Sequence, residues 1–242
     1  NALGCGQLGS LYLSGLGVEP DGEKAARYIQ LGCQGGLDHA CLNIGLLYET
    51  GTGVPYDPAR AVPIYEEFCE RDFPTACVNL AGLYARGEGV PESLDRAMPY
   101  LLKSCELGSA EGCQGYGSIL MLRVESDDDA AEAAEYFRMS CEGGDAIGCS
   151  SLGLLYDMGQ GVARDGARAA QLYKLACDGG EPEACVDIGV QSEFGIDISE
   201  NIDAAFVFYA RGCDLGPPEG RGVHCCARLR SGRLHAQAGR RP

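Results

Sequence analysis

Tryptophan is absent from this 242-residue chain, phenylalanine occurs six times and histidine three times. A core without indole rings has to be built from leucine, alanine, isoleucine, valine and tyrosine. No apolar run approaches the roughly 18 residues that a membrane-spanning helix needs, so membrane insertion is not expected. Basic residues are few and unevenly placed. Six arginines and no acid fall in residues 221–242, which leaves 13 basic and 35 acidic residues in 1–220, a net charge of −22. A body of that sign repels nucleic acid and anionic lipid. It also reads more simply as a solvated acidic surface that keeps the protein in solution.

Catalytic signatures are missing as well. The chain contains no S-x-x-K, S-D-N or K-T-G, no G-x-S-x-G, no H-E-x-x-H and no P-loop. His39 stands between two cysteines, and His224 and His235 stand near the C-terminus. None falls in a repeated column, and His39 reads as a surface residue, not a general base. Asp127, Asp128 and Asp129 can attract a cation, but a solvated acidic turn explains them better. No cofactor and no metal site is expected.

Cysteine and glycine, by contrast, are plentiful: 14 and 36 residues. Ten cysteines form five C-x7-C pairs, Cys33/Cys41, Cys69/Cys77, Cys105/Cys113, Cys141/Cys149 and Cys177/Cys185, each 36 residues after the last. The chain is therefore a tandem array, and stacked repeats share one continuous core. Regular pairing on this scale reads as a disulfide framework and so as an oxidising compartment. Zinc is the competing reading, but structural zinc sites favour two to four residues between neighbouring ligands, and histidine is scarce. Redox dithiols are commonly C-x-x-C, whereas five equivalent pairs look structural. Cys5 would need a partner eight residues upstream, in a segment expected to precede this chain. Cys213 can pair with Cys225 or Cys226.

Counted from the first cysteine, the units run 5–40, 41–76, 77–112, 113–148, 149–184 and 185–220. Each begins with an apolar helix of about 12 residues, such as 41–51. Gly9, Gly45, Gly117, Gly153 and Gly189, with Ala81 as the exception, let a neighbouring helix approach. Tyr12, Tyr48, Tyr84 and Tyr156 follow. A G-x-G-V loop comes next, ending at Val18, Val54, Val90 and Val162, where the valine should plug the groove between helices. Asp21, Asp57, Ser93, Asp129, Asp165 and Asn201 are N-cap candidates for the second helix. Ala25, Ala61, Ala97, Ala133, Ala169 and Ala205 form a small-residue contact column. An aromatic stripe, Tyr28, Tyr65, Tyr100, Tyr136, Tyr173 and Phe208/Tyr209, reads as core. Gly36, Gly108, Gly144, Gly180 and Gly216 stop the second helix. Unit 113–148 reads LRVESDDD in place of the glycine loop and should connect differently. Pro63 and Pro99 should kink their helices. The tail 221–242 reads as disordered or as an atypical cap.

The 36-residue period, the two helices per unit, the G-x-G-V loop and the C-x7-C joints together resemble the Sel-one-like repeat family, a relative of the tetratricopeptide repeat. The cysteine spacing is similar to that of its cysteine-rich bacterial branch, whose members are typically secreted or periplasmic. The resemblance spans 5–220. It implies an all-α, right-handed α/α superhelical solenoid of about six helix-pair repeats, stapled by disulfides, over 1–220. It also implies a scaffold or adaptor that binds a peptide or protein partner, such as a cell-envelope component, and works as a monomer. Some members of the branch are described as binding penicillin and slowly hydrolysing β-lactams, so a β-lactamase-like hydrolase is the enzymatic alternative. Thiol redox or metal handling is the third reading. By analogy with tetratricopeptide repeats, the first helices line a concave groove that takes extended peptides. Two residues past each first cysteine lie Gln7, Asn43, Asn79, Gly115, Ser151 and Asp187, a polar column able to hydrogen-bond a peptide backbone. Glu49, Arg86, Asp157 and Glu193 lie further along the same helices and are further candidates, though all of these residues can equally be facing water.

Overall fold

The structure is a computed structural model that describes residues 1–216. The arginine-rich tail, with His224, His235, Cys225 and Cys226, lies outside the described residues. Among the described residues there are twelve α-helices and no strand. They are α1 (Ala2–Ser14), α2 (Gly22–Gln34), α3 (Asp38–Thr50), α4 (Pro58–Glu70), α5 (Pro74–Arg86) and α6 (Leu94–Glu106), then α7 (Ala110–Leu122), α8 (Asp127–Glu142), α9 (Ala146–Met158), α10 (Gly166–Asp178), α11 (Pro182–Phe194) and α12 (Ile202–Leu215). Two compact units divide the chain, Asn1–Gly108 and the part from Ser109 onward. Each is built from the same helix pairs.

The first helix of each pair starts three residues before its cysteine, not at it. Between α2 and α3 only Gly35, Gly36 and Leu37 lie outside a helix. The chain reverses there because Gly36 sits at φ +86. Its N–H donates to the Cys33 carbonyl at 2.8 Å and the Leu37 N–H to the Gly32 carbonyl at 3.1 Å, the paired bonds of a Schellman motif. Gly144 and Gly180 repeat this turn, and Asp72 adopts it at φ +63. So short a joint leaves one cysteine in the last turn of a helix and its partner in the first turn of the next. Cys33–Cys41, Cys69–Cys77, Cys141–Cys149 and Cys177–Cys185 are disulfides, with Cα atoms 4.6, 4.7, 4.4 and 4.6 Å apart. Cys105, Cys113 and Cys213 are also disulfide-bonded, while Cys5 carries a free thiol. Each eight-residue closure contributes about 2.5 kcal/mol by restricting the unfolded chain.

Within a pair, the alanine column has no accessible surface: Ala25, Ala61, Ala97, Ala133, Ala169 and Ala205 are all 0% exposed. Opposite it, a Cβ on Gly45 would stand 2.6 Å from the Tyr65 ring, and one on Gly189 2.6 Å from the Tyr209 ring. The expected aromatic stripe resolves into two neighbouring columns. Ile29, Tyr65, Leu101, Phe137, Tyr173 and Tyr209 are buried. Tyr28, Tyr100 and Tyr136, one residue earlier, are half-buried and pack ring to ring on the first helix. Tyr12–Tyr28 and Tyr84–Tyr100 are stacked with centroids 5.8 Å apart, and Tyr116–Tyr136 meet edge-on at 4.6 Å.

Repeats are clamped to one another by the G-x-G-V loop. Val54 packs against the cluster of Ala26, Ile29, Ala40 and Leu47, and Val162 against that of Ala133, Ala134, Phe137, Leu152 and Leu155. The second loop glycine needs both a left-handed backbone and an absent side chain. Gly89 lies at φ +72, and a Cβ there would meet the Ala59 nitrogen at 2.4 Å, at the start of the preceding α4. Gly17 has the same backbone, φ +76, with nothing within 4 Å.

Second helices begin at the expected caps, with two corrections. Asp21, Ser93, Asp165 and Asn201 each accept a backbone N–H three residues on. Asp57 occupies the cap position but its side chain makes no capping bond. Asp129 is not a cap: Ser126 is, and Asp129 completes the capping box by accepting the Ser126 backbone N–H at 3.0 Å. Without loop glycines, α8 starts a turn early and is 16 residues long, with Ala133 still in the buried column. Pro63 and Pro99 lie inside α4 and α6, and neither shortens its helix below the 13 residues of its neighbours.

Gly17→Ala should cost about 1 kcal/mol from backbone strain alone. Gly89→Ala should cost a further 1–3 kcal/mol because backbone atoms must move. Urea denaturation under non-reducing conditions compares the two, and equal losses would show that the loop does not press on α4.

Candidate functional site

An open groove of about 520 Å³ runs between α1 and α3 in the first unit. Its apolar part is Leu3, Gly6, Leu11, Leu37 and Ala40, and its polar part is Gln7, Ser10, His39 and Asn43. At the floor the Leu37 side chain reaches the α1 backbone because Gly6 has no side chain: a Cβ there would stand 2.5 Å from Leu37 Cδ2. Gln7 and Asn43, 36 residues apart in the polar column, thus reach one groove on successive first helices. His39 is exposed and lies edge-on to the Phe73 ring at 6.5 Å.

Asn79, next in the column, has another role. It lies beside the phenol of Tyr65, which donates to Glu49 Oε2 at 2.9 Å. Glu49 Oε1 accepts from the Arg86 guanidinium at 2.7 Å, and Arg86 Nε donates to Glu88 at 2.9 Å. Tyr65, Glu49, Arg86 and Glu88 therefore form one network across α3, α4 and α5, with Asn79 beside it. Burial raises the Tyr65 pKa, and the adjacent Glu49 carboxylate raises it further. Glu49 and Arg86, read from the sequence as candidate ligand contacts, are engaged with each other.

In the second unit the same column offers Ser151, half-buried, and Asp187, which already has an interaction. Asp157 stands 3.8 Å from Arg164. Glu193 is 6% exposed and accepts from Tyr209 Oη at 2.9 Å, so it faces inward. The carboxylate–tyrosine pairs were not anticipated, although Glu49/Tyr65 and Glu193/Tyr209 share a spacing of 16 residues. A basic column was missed as well. Lys24, Arg60, Arg96 and Arg168 each lie over the ring of the tyrosine 12 residues earlier, Tyr12, Tyr48, Tyr84 and Tyr156, at 4.1–5.3 Å. Among the described residues, no cluster of three or more His, Cys, Asp or Glu side chains is placed to hold a metal ion. No helix among the described residues is long and apolar enough to cross a membrane.

The family model of the Sel1 repeat matches six consecutive segments, 2–37, 38–73, 74–109, 113–145, 146–181 and 182–217. The chain belongs to the Sel1 repeat family. Five of the six matched segments begin with a first helix, three residues ahead of the cysteine-based count; the fourth begins at 113, inside α7. Sel1 repeats build solenoids that mediate protein interactions and are in general not catalytic. Among solved structures, the chain resembles a Sel1 repeat protein from Oxalobacter formigenes at 25% identity and TM-score 0.81, with 88% of each chain covered. It also resembles c5321, a protective antigen of uropathogenic Escherichia coli, at 24% identity and TM-score 0.81, with all of this chain covered. The chain spans 51% of that antigen's length. The immunity protein Pa5087 of Pseudomonas aeruginosa shares the fold at 16% identity and TM-score 0.59, with 88% of this chain and 81% of that one covered. No curated protein matches the sequence.

Because the folded state holds Tyr65 neutral, its contribution is complete below the unfolded phenol pKa, near 10, and fades as pH rises beyond it. Tyr65→Phe should lose about 1.5 kcal/mol at pH 7, and the gap to wild type should narrow above pH 10. Ultraviolet titration of the phenols should show that the wild-type minus Tyr65→Phe difference lacks an ionisation step between pH 9 and 11. A normal step there would break the Tyr65–Glu49 assignment.

Proposed function

We propose that this Sel1 repeat protein is an exported scaffold that holds an extended segment of a partner protein in the α1–α3 groove. The groove itself supports the reading most directly. Apolar side chains from both helices offer area for burial, and Gln7, Ser10 and Asn43 offer donors and acceptors. An extended peptide carries unpaired backbone N–H and C=O groups along its length, and side-chain amides can both donate to and accept from them. Recognition of that kind tolerates many side chains and depends on the groove being rigid before binding, which limits the ordering cost of association. The Cys33–Cys41 bridge ties α2 to α3, the helix that forms one side of the groove. The disulfides further support an oxidising location, periplasmic or extracellular, since reducing compartments do not sustain such bonds. In this reading Asn79 is the next position of the polar column within the first unit, and Ser151 and Asp187 hold the same register in repeats of the second unit.

Selection from a displayed library of random peptides on the oxidised protein should yield binders that dock here. Gln7→Ala with Asn43→Ala should weaken them at least tenfold, and so should reduction of the disulfides. Selected peptides that bind the double variant as tightly as wild type would place the docking surface elsewhere.

A further inference from the structure

The second unit carries an apolar stripe that its packing does not use. The last residues of its first helices, Leu122 of α7, Met158 of α9 and Phe194 of α11, are 74%, 62% and 60% exposed. The same column in the first unit holds Ser14, Thr50 and Arg86. Three successive repeats thus place a large apolar side chain in one register on the surface, where single exposed hydrophobics would need no explanation. Beside the stripe, Val124, Glu125, Ser126, Asp127 and Gln160 line a recess of about 230 Å³. Gln160 belongs to the loop that follows Met158, and Val124 and Glu125 to the connection that follows Leu122. The Glu125 and Asp127 carboxylates are exposed, and Asp128 extends the acidic turn. The nearby cations are committed elsewhere: Arg164 to Asp197 at 2.5 Å, and Arg123 to an interaction of its own.

We infer that this stripe and the acidic recess dock a basic amphipathic helix of a partner protein. An α-helix with its side chains is about 10–12 Å across, and seven residues of α-helix rise about the same distance. A partner helix with apolar residues every seven positions therefore meets Leu122, Met158 and Phe194 in turn, while lysine or arginine beside them reaches Glu125 and Asp127. Charge complementarity selects a basic occupant. It disfavours a second copy of this chain, whose residues 1–220 carry a net charge of −22. The surface is independent of the α1–α3 groove and lies in the other unit.

The probe is a dye-labelled 21-residue helix of alanine and lysine with leucine at three positions seven apart. Its counterpart has glutamate for every lysine. Fluorescence anisotropy at 0.15 M salt should show that the lysine peptide binds wild type and the glutamate peptide does not. Leu122→Ser with Met158→Ser and Phe194→Ser should weaken binding at least tenfold with an unchanged thermal melt. Glu125→Gln with Asp127→Asn should weaken it several-fold and flatten its salt dependence. Gln7→Ala with Asn43→Ala should leave it unaltered, which separates this surface from the groove. A wild-type protein that ignores the lysine peptide overturns the inference, as does equal binding by the triple serine variant or equal binding of the glutamate peptide. A dimer in sedimentation that the serine variant abolishes also overturns it, because the stripe then belongs to a second copy.

Discussion

Six alanines without accessible surface set how near the two helices of each pair can come. Everything else in the repeat is placed by that distance. Where a glycine faces the column, as at Gly45 and Gly189, the ring of the following helix lies against its backbone. A larger residue in either position would force the helices apart, and overpacking costs about 1–3 kcal/mol at a single site. The disulfides act on the other side of the equilibrium. Their restriction of the unfolded chain is of the same order per joint, and it leaves the folded packing as the alanine column defines it. The two effects are therefore additive in origin: one sets the shape, the other limits the alternatives.

Much of this was legible in the sequence because the constraint recurs. A column of alanine, a column of glycine and a pair of cysteines every 36 residues leave little freedom in the reading of helix pairs. The boundaries were harder, since the cysteine is the most visible mark and so draws the start of the helix to itself. The true start had its own signal. Pro74 and Pro182 stand three residues before Cys77 and Cys185 and occupy the first turn of their helices, where proline is favoured because its missing N–H is not required. The capping correction has a similar cause. Serine followed three residues later by an acid is a capping box, and Ser126 with Asp129 fits it, but the column of aspartates suggested position 129 first.

What periodicity does not convey is partnership. Glu49 stands in a column of mixed residues on a first helix, and nothing local indicates that its carboxylate takes a proton donor from Tyr65 and a guanidinium from Arg86. Both partners come from other helices. Asp72 and Asp197 show the same limit from the opposite direction. Each replaces a glycine at a left-handed position, φ +63 and +58, which is unfavourable for a residue with a Cβ and most tolerable for Asp or Asn. Each also gains an ion pair, to Lys103 at 2.9 Å and to Arg164 at 2.5 Å. Exposed pairs contribute little, so the backbone strain is offset only in part. These departures from the repeat tie together elements that the repeat alone does not distinguish.

The division between fixed and free columns also indicates where function can reside. Positions that pack helix on helix are committed in every unit, because a change there alters the spacing of its neighbours. Positions at the ends of the first helices carry no such obligation. There the chain holds Ser14, Thr50 and Arg86 in one unit and Leu122, Met158 and Phe194 in the other. Solvent favours the first set, and folding does not require the second. An apolar residue retained on the surface of three consecutive repeats therefore answers to something outside the fold. Recognition in a repeat protein is written where the repeat stops dictating the side chain.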